Sequence, residues 1–145
     1  MENLFLGAAH AAFNVADMEK SLDFYQRVFG FEKAFEIRHP ESGEPWIVYV
    51  SIGGGQFIEL FYGGEQMPEK PGNAAGFSHL CFGVSDIHAA WRRLEENGAP
   101  LDVPVNQGKD RNWQCWTHDP DGNRIELMQM TDDSLQSTYL RGKQA

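Results

Sequence analysis

The chain contains two copies of one pattern, and this repeat constrains the fold more than any other feature. His10-Ala11-Ala12-Phe13-Asn14-Val15-Ala16-Asp17-Met18 is matched in the second half by His79-Leu80-Cys81-Phe82-Gly83-Val84-Ser85-Asp86-Ile87. Both read His-x-x-Phe-x-Val-x-Asp followed by an apolar residue. Further along, Ile58-Glu59-Leu60 is matched, at nearly the same separation, by Ile125-Glu126-Leu127. Two matches in the same order and at nearly one offset point to a duplicated unit of about 65 residues.

Each copy reads as strand, helix and three strands. Residues 8–15 alternate as a strand does. Asp17 can cap a helix, because its carboxylate accepts amide hydrogens that the first helical turn leaves free. Met18, Leu22, Tyr25 and Phe29 then fall on one helical face, and Gly30 suits the left-handed residue that ends a helix. Strands are expected at 31–38, 46–52 and 56–62, with Gly53-Gly54-Gly55 turning between the last two. The second copy has a strand at 77–84 and a helix capped by Asp86. Ile87, Ala90, Trp91 and Leu94 form its apolar stripe, and Gly98 closes it. Strands are expected near 100–104, 111–118 and 123–130, with Asp119-Pro120-Asp121-Gly122 as the last turn. Residues 63–76 read as a linker, and the tail from Thr131 as a short or frayed helix. The expectation is an α+β chain: one domain over 1–145, built from βαβββ modules at 7–62 and 77–130, forming a curved mixed sheet around a metal-binding cavity.

The metal follows from side-chain parity. Successive strand residues face opposite sides. Phe13 and Val15 therefore share one face and His10 takes the other, and Phe82, Val84 and His79 repeat this. Ile58 and Leu60 lie opposite Glu59, as Ile125 and Leu127 lie opposite Glu126. Apolar residues can then pack on each module's helix while one His and one Glu point away from it. A carboxylate turned into a cavity is costly unless paired or metal-bound. Two imidazoles, two carboxylates and one or two waters suit octahedral Ni, Co, Mn or Fe, or a higher-coordinate Zn. His10, Glu59, His79 and Glu126 are the expected ligands. His39, His88 and His118 carry no repeat and read as surface residues.

Composition narrows the partners. The net charge is −9 and there is no basic run, which argues against nucleic acid. No stretch reaches the roughly 18 apolar residues of a membrane span. Met1–Leu6 has an acidic residue and too short an apolar run for a signal peptide, so a cytoplasmic address is expected. Cys81 and Cys115 form no CxxC pair and read as buried thiols.

His10 with Asp17–Tyr25, His79-Leu80 with Val84–Asp86, and Asp119–Leu127 together resemble the vicinal oxygen chelate superfamily, which includes glyoxalase, bleomycin resistance and dioxygenase proteins. The resemblance covers residues 7–130. The His-Glu-His-Glu set looks like glyoxalase I (lactoylglutathione lyase). Epimerases of the superfamily usually carry Gln at the position of Glu59, and dioxygenases and fosfomycin enzymes use two His and one Glu. The chain departs from glyoxalase I at Asn14, where bacterial members carry an Arg for glutathione, and at Gly63, where they carry Asn. Lys109 stands near a glutathione-contacting Lys.

The resemblance implies a metal-dependent lyase or isomerase. Proton transfer would pass through a metal-bound enediolate on a hemithioacetal or related α-hydroxycarbonyl substrate. Glu126 is the expected base and Glu59 the alternative. Asn14, Phe57, Phe61, Lys109 and Arg124 are expected to contact substrate: the two Phe share the face of Glu59, and Arg124 that of Glu126. Two other readings stay open. One is an epimerase or dioxygenase of the same superfamily. The other is a non-catalytic drug-binding or resistance protein, its pocket lined by aromatics such as Phe77, Trp113 and Trp116. The short linker, with Pro68 and Pro71, predicts a homodimer with metal sites at its interface.

Overall fold

The duplication is explicit in the topology. The computed structural model describes Leu4 and residues 7–66 and 75–144. The chain divides into two compact units, Met1–Glu69 and Lys70–Ala145. The first has β1 (His10–Asn14), α1 (Met18–Phe29), β2 (Glu32–Arg38), β3 (Pro45–Gly53) and β4 (Gln56–Phe61). The second has β5 (Leu80–Gly83), α2 (Ile87–Glu96), β6 (Val103–Gln107), β7 (Trp113–His118), β8 (Arg124–Gln129) and α3 (Leu135–Gln144). The strands form two four-stranded sheets of one design, β1-β4-β3-β2 and β5-β8-β7-β6. In each the first strand runs parallel to the fourth and the other pairs are antiparallel. This is the α+β fold of two tandem βαβββ modules.

The helices begin where their sequences indicate. Asp17 accepts the Lys20 amide at 3.1 Å and Asp86 accepts the Ala89 amide at 2.9 Å. Gly30 ends α1 at φ 74, where a Cβ would be strained, and Gly98 follows the end of α2 at φ 61. The buried face of α1 is Met18, Ser21, Phe24, Tyr25 and Val28, rotated from the expected stripe so that Leu22 and Phe29 lie only half-buried. It belongs to a core with Val15, Val48, Val50, Ile58 and Leu60. The second core is built around Ile87, Leu94, Cys115, Ile125 and Leu127. Truncating one such side chain, as in Leu60→Ala, costs about 2–5 kcal/mol through lost contacts and the cavity left behind.

Three expectations need correction. The strand expected at 77–84 is shorter, and His79 precedes β5 by one residue. The strand expected near 100–104 lies at Val103–Gln107. Pro100 and Pro104 have no amide to donate to a ladder, and the pairing runs through Val103 opposite Trp116 and, after a register shift, through Asn106 and Gln107 opposite Gln114 and Trp113. Cys81 is exposed, whereas Cys115 is buried. Cys81 shares the parity of His79, so it faces away from the α2 core. The tail forms α3, anchored by a network in which the buried Asn112 amide donates to Asp110 and to Gln136. Of the expected linker, residues 67–74, including Pro68 and Pro71, lie outside the described residues. So does most of Met1–Leu6.

Candidate functional site

In the first unit, the cross-strand register places Ala12, Glu59 and Tyr49 side by side across β1, β4 and β3. His10 stands two residues before Ala12 on the same face. Its Nδ1 lies 3.3 Å from Glu59 Oε1. Glu59 is only 6% exposed, so this carboxylate is held in a largely dry place and needs partners. The Tyr49 hydroxyl hydrogen-bonds to Glu59, and this bond to a charged acceptor raises the phenol pKa above its ordinary value. Beside the pair, Phe35 stacks on Tyr49 at 4.4 Å, and Phe57 meets Tyr49 edge-on at 6.0 Å. Phe61 pairs with Asn14 at the far end of β1.

The second unit repeats the arrangement. Cys81, Glu126 and Trp116 lie side by side across β5, β8 and β7. His79 Nε2 is 3.1 Å from Glu126 Oε2, and its Nδ1 is 3.1 Å from the Ser78 hydroxyl. The imidazole packs edge-on against Trp116 at 4.8 Å. Arg124, next to His118 in the register, lays its guanidinium over the same indole at 4.5 Å. The Cys81 thiol is pushed up to about 12, first by the packing around its sulfur and then by the Glu126 carboxylate.

Of the residues expected at the site, His10, Glu59 and Phe57 are gathered in one unit, and His79, Glu126 and Arg124 in the other. Lys109 is exposed on the loop between β6 and β7, and Asn14 is exposed at the end of β1. His118 is held by Asp102, at 2.9 Å from both carboxylate oxygens. His39 stacks on Trp46, and His88 lies exposed near Trp113. Among the described residues, no three His, Cys, Asp or Glu side chains converge as a single metal cluster. Sequence reasoning missed Tyr49 and Cys81 as neighbours of the glutamates. A signal for Tyr49 exists: it stands as far before Trp116 in the chain as Glu59 stands before Glu126.

A two-module α+β chain with an equivalent His–Glu pair in each module defines a class in which one duplicated fold presents paired donors. The chain belongs to the glyoxalase/bleomycin resistance protein/dioxygenase superfamily, whose family model matches residues 7–127. A lactoylglutathione lyase of Pseudomonas putida is 30% identical over 146 residues, covering 84% of this chain and 84% of that protein. The crystal structure of a glyoxalase family protein from Enterococcus faecalis superposes with a TM-score of 0.72 at 28% identity, over 87% of this chain and 99% of that one. The fosfomycin resistance protein of Listeria monocytogenes shares the fold, with a TM-score of 0.68 at 18% identity over 92% and 98% of the two chains. Among the described residues, no helix is long and apolar enough to cross a membrane.

Proposed function

We propose that the chain is a divalent-metal-dependent lyase or isomerase of the glyoxalase I kind, acting on a hemithioacetal of a 2-oxoaldehyde or a related α-hydroxycarbonyl compound. The observation that carries this reading is the duplicated His–Glu pair, at 3.3 Å and 3.1 Å. Two ligands each about 2.1 Å from one ion and at right angles to it stand about 3.0 Å apart. Each pair therefore suits two neighbouring ligands of a cation, and His10, Glu59, His79 and Glu126 are proposed to complete one four-ligand site. A divalent ion there supplies Lewis-acid stabilisation of negative charge on two adjacent substrate oxygens. Ni, Zn, Co, Mn and Fe all suit two nitrogen and two oxygen donors.

The protein's own groups move the proton. Glu126 is half-buried and is the proposed base. It takes the proton from the carbon bearing the hydroxyl and returns it to the neighbouring carbon. Glu59 is the weaker candidate, because it is more deeply buried and engaged by the Tyr49 hydroxyl. The Ser78 hydroxyl steadies the His79 ring by engaging its other nitrogen. Phe57 and Phe61 offer apolar surface to the substrate beside Glu59. Asn14 and Lys109 are the proposed contacts to the thiol portion, and the neutral Asn14 favours a thiol other than glutathione. The working unit is proposed to be a cytoplasmic homodimer in which His10 and Glu59 of one protomer meet the second-module His–Glu pair of the other.

The test is turnover of methylglyoxal with a panel of thiols, including glutathione, after loading with each metal. Thioester formation that is lost in Glu126→Gln supports the reading. No turnover with any thiol and metal overturns it.

A further inference from the structure

One charged group beside the second His–Glu pair takes no part in the proton transfer. Arg124 lies on β8 two residues before Glu126, on the same face, with its guanidinium carbon 4.5 Å from the centre of the Trp116 ring. Trp116 is wedged in turn against His79 at 4.8 Å. Stacking over an indole fixes the plane of a guanidinium while its N–H edge stays available for hydrogen bonds. The nearby carboxylates are committed elsewhere: Glu126 to His79, and Asp102 to His118. Among the described residues no carboxylate forms an ion pair with Arg124. This stands out in a chain where 21 acidic side chains face 12 basic ones, because acids are plentiful there as partners for an arginine.

We infer that Arg124 is a specificity-determining residue that binds a carboxylate on the substrate. The substrate is thus an anionic adduct whose carboxylate lies a few bonds from the reacting carbon. The position supports a short linkage: Arg124 and the proposed base Glu126 stand two residues, about 6.8 Å, apart on one strand face. The other module supports the assignment by contrast. Phe57 occupies the position equivalent to Arg124, so the duplicated pairs are alike while the residue flanking each differs. Recognition is therefore carried by the flanks. This inference rests on the proposed lyase reading for the identity of the reacting carbon.

The experiment compares two hemithioacetals of methylglyoxal, one made with 3-mercaptopropionate and one with the neutral 2-mercaptoethanol. It uses the metal-loaded wild type, Arg124→Gln and Arg124→Lys. Binding of the two corresponding lactoyl thioesters is measured by calorimetry on the same proteins. A charge-assisted, two-pronged contact of this kind contributes roughly 10- to 100-fold in affinity. The wild type is expected to favour the carboxylate ligand by that factor in 1/KM and in binding. Arg124→Gln loses the preference, read as the ratio between the carboxylate and neutral ligands in 1/KM and in binding, and Arg124→Lys keeps part of it. If nothing turns over but the carboxylate thioester still binds Arg124-dependently, the lyase reading fails and the anion site stands. Equal binding of both thioesters by the wild type, or a preference intact in Arg124→Gln, overturns the anion site.

Discussion

Thr117→Val should stabilise the protein. Thr117 is fully buried on β7, and among the described residues nothing hydrogen-bonds to its Oγ1. Its side chain points into the core beneath α2, with the parity of Cys115 and opposite Ile125. Burying a hydroxyl without a partner costs about 1–3 kcal/mol, and Val has the same shape without the hydroxyl. The repeat offers its own control, because Val50 holds the equivalent place in the first module and is also fully buried. The expected gain is about 1 kcal/mol, the lower end, since the methyl contacts are unchanged and only the hydroxyl is removed. In a chain of this size that raises the midpoint of thermal unfolding by about 3–4 °C. Differential scanning calorimetry of wild type and Thr117→Val under one buffer and metal condition measures it. A lower midpoint in the variant would refute the reasoning, because it would mean the hydroxyl is satisfied and contributes to stability.

The turn before β8 gives a second prediction. The buried Asp119 carboxylate accepts the amides of Asp121 and Asn123 at 3.0 and 2.8 Å and the Asn123 side chain at 2.9 Å. Asp119→Ala should cost about 3 kcal/mol, read as a fall of roughly 10 °C in the thermal midpoint; a shift below about 2 °C contradicts it. Acid sensitivity should follow the helix caps. Asp17 and Asp86 are held below the ordinary 3.8, chiefly by the backbone amides of Lys20 and Ala89. A lowered folded pKa means that the stabilisation is complete above 3.8 and is lost as pH falls through the lowered values. An Asp17→Asn, Asp86→Asn double variant should therefore lose stability more gently than wild type over that window in pH-dependent melts, and an unchanged slope argues against it. Mixing His10→Ala chains with His79→Ala chains should restore part of the metal binding, because a shared-site heterodimer carries one site damaged twice and one intact; no recovery excludes shared sites.

Much of this arrangement is legible in the sequence because parity and repetition reinforce each other. The alternation around His10, Glu59 and Glu126 places all three opposite the helix-packed residues, as the cross-strand register does. The same parity places Cys81 with His79. Its apolar neighbours Leu80 and Phe82 draw the reading toward the core instead, although they face the other way. β6 is misplaced from sequence because Pro100-Leu101 has strand-like apolarity without the amide that a ladder needs. The true strand runs through polar Asn106 and Gln107, which hydrophobic patterning does not mark. Tyr49 escapes notice because one aromatic in an apolar strand ordinarily reads as core. The hydroxyl that bonds Glu59 shows only when β3 is laid beside β4 in register. Arg124 is visible as a neighbour of Glu126, but its stacking on Trp116 depends on a cross-strand pairing that spacing along one strand does not encode.

That His10, Glu59, His79 and Glu126 together hold one divalent ion can be read from the metal content of purified chains, dialysed against excess metal and then metal-free buffer and measured by inductively coupled plasma mass spectrometry. About one ion per chain is expected in the wild type, as for a single four-ligand site. Strong loss is expected in each of His10→Ala, Glu59→Gln, His79→Ala and Glu126→Gln, and full occupancy in His39→Ala and His88→Ala. Undiminished metal in His79→Ala, or equal loss in His39→Ala, would contradict it.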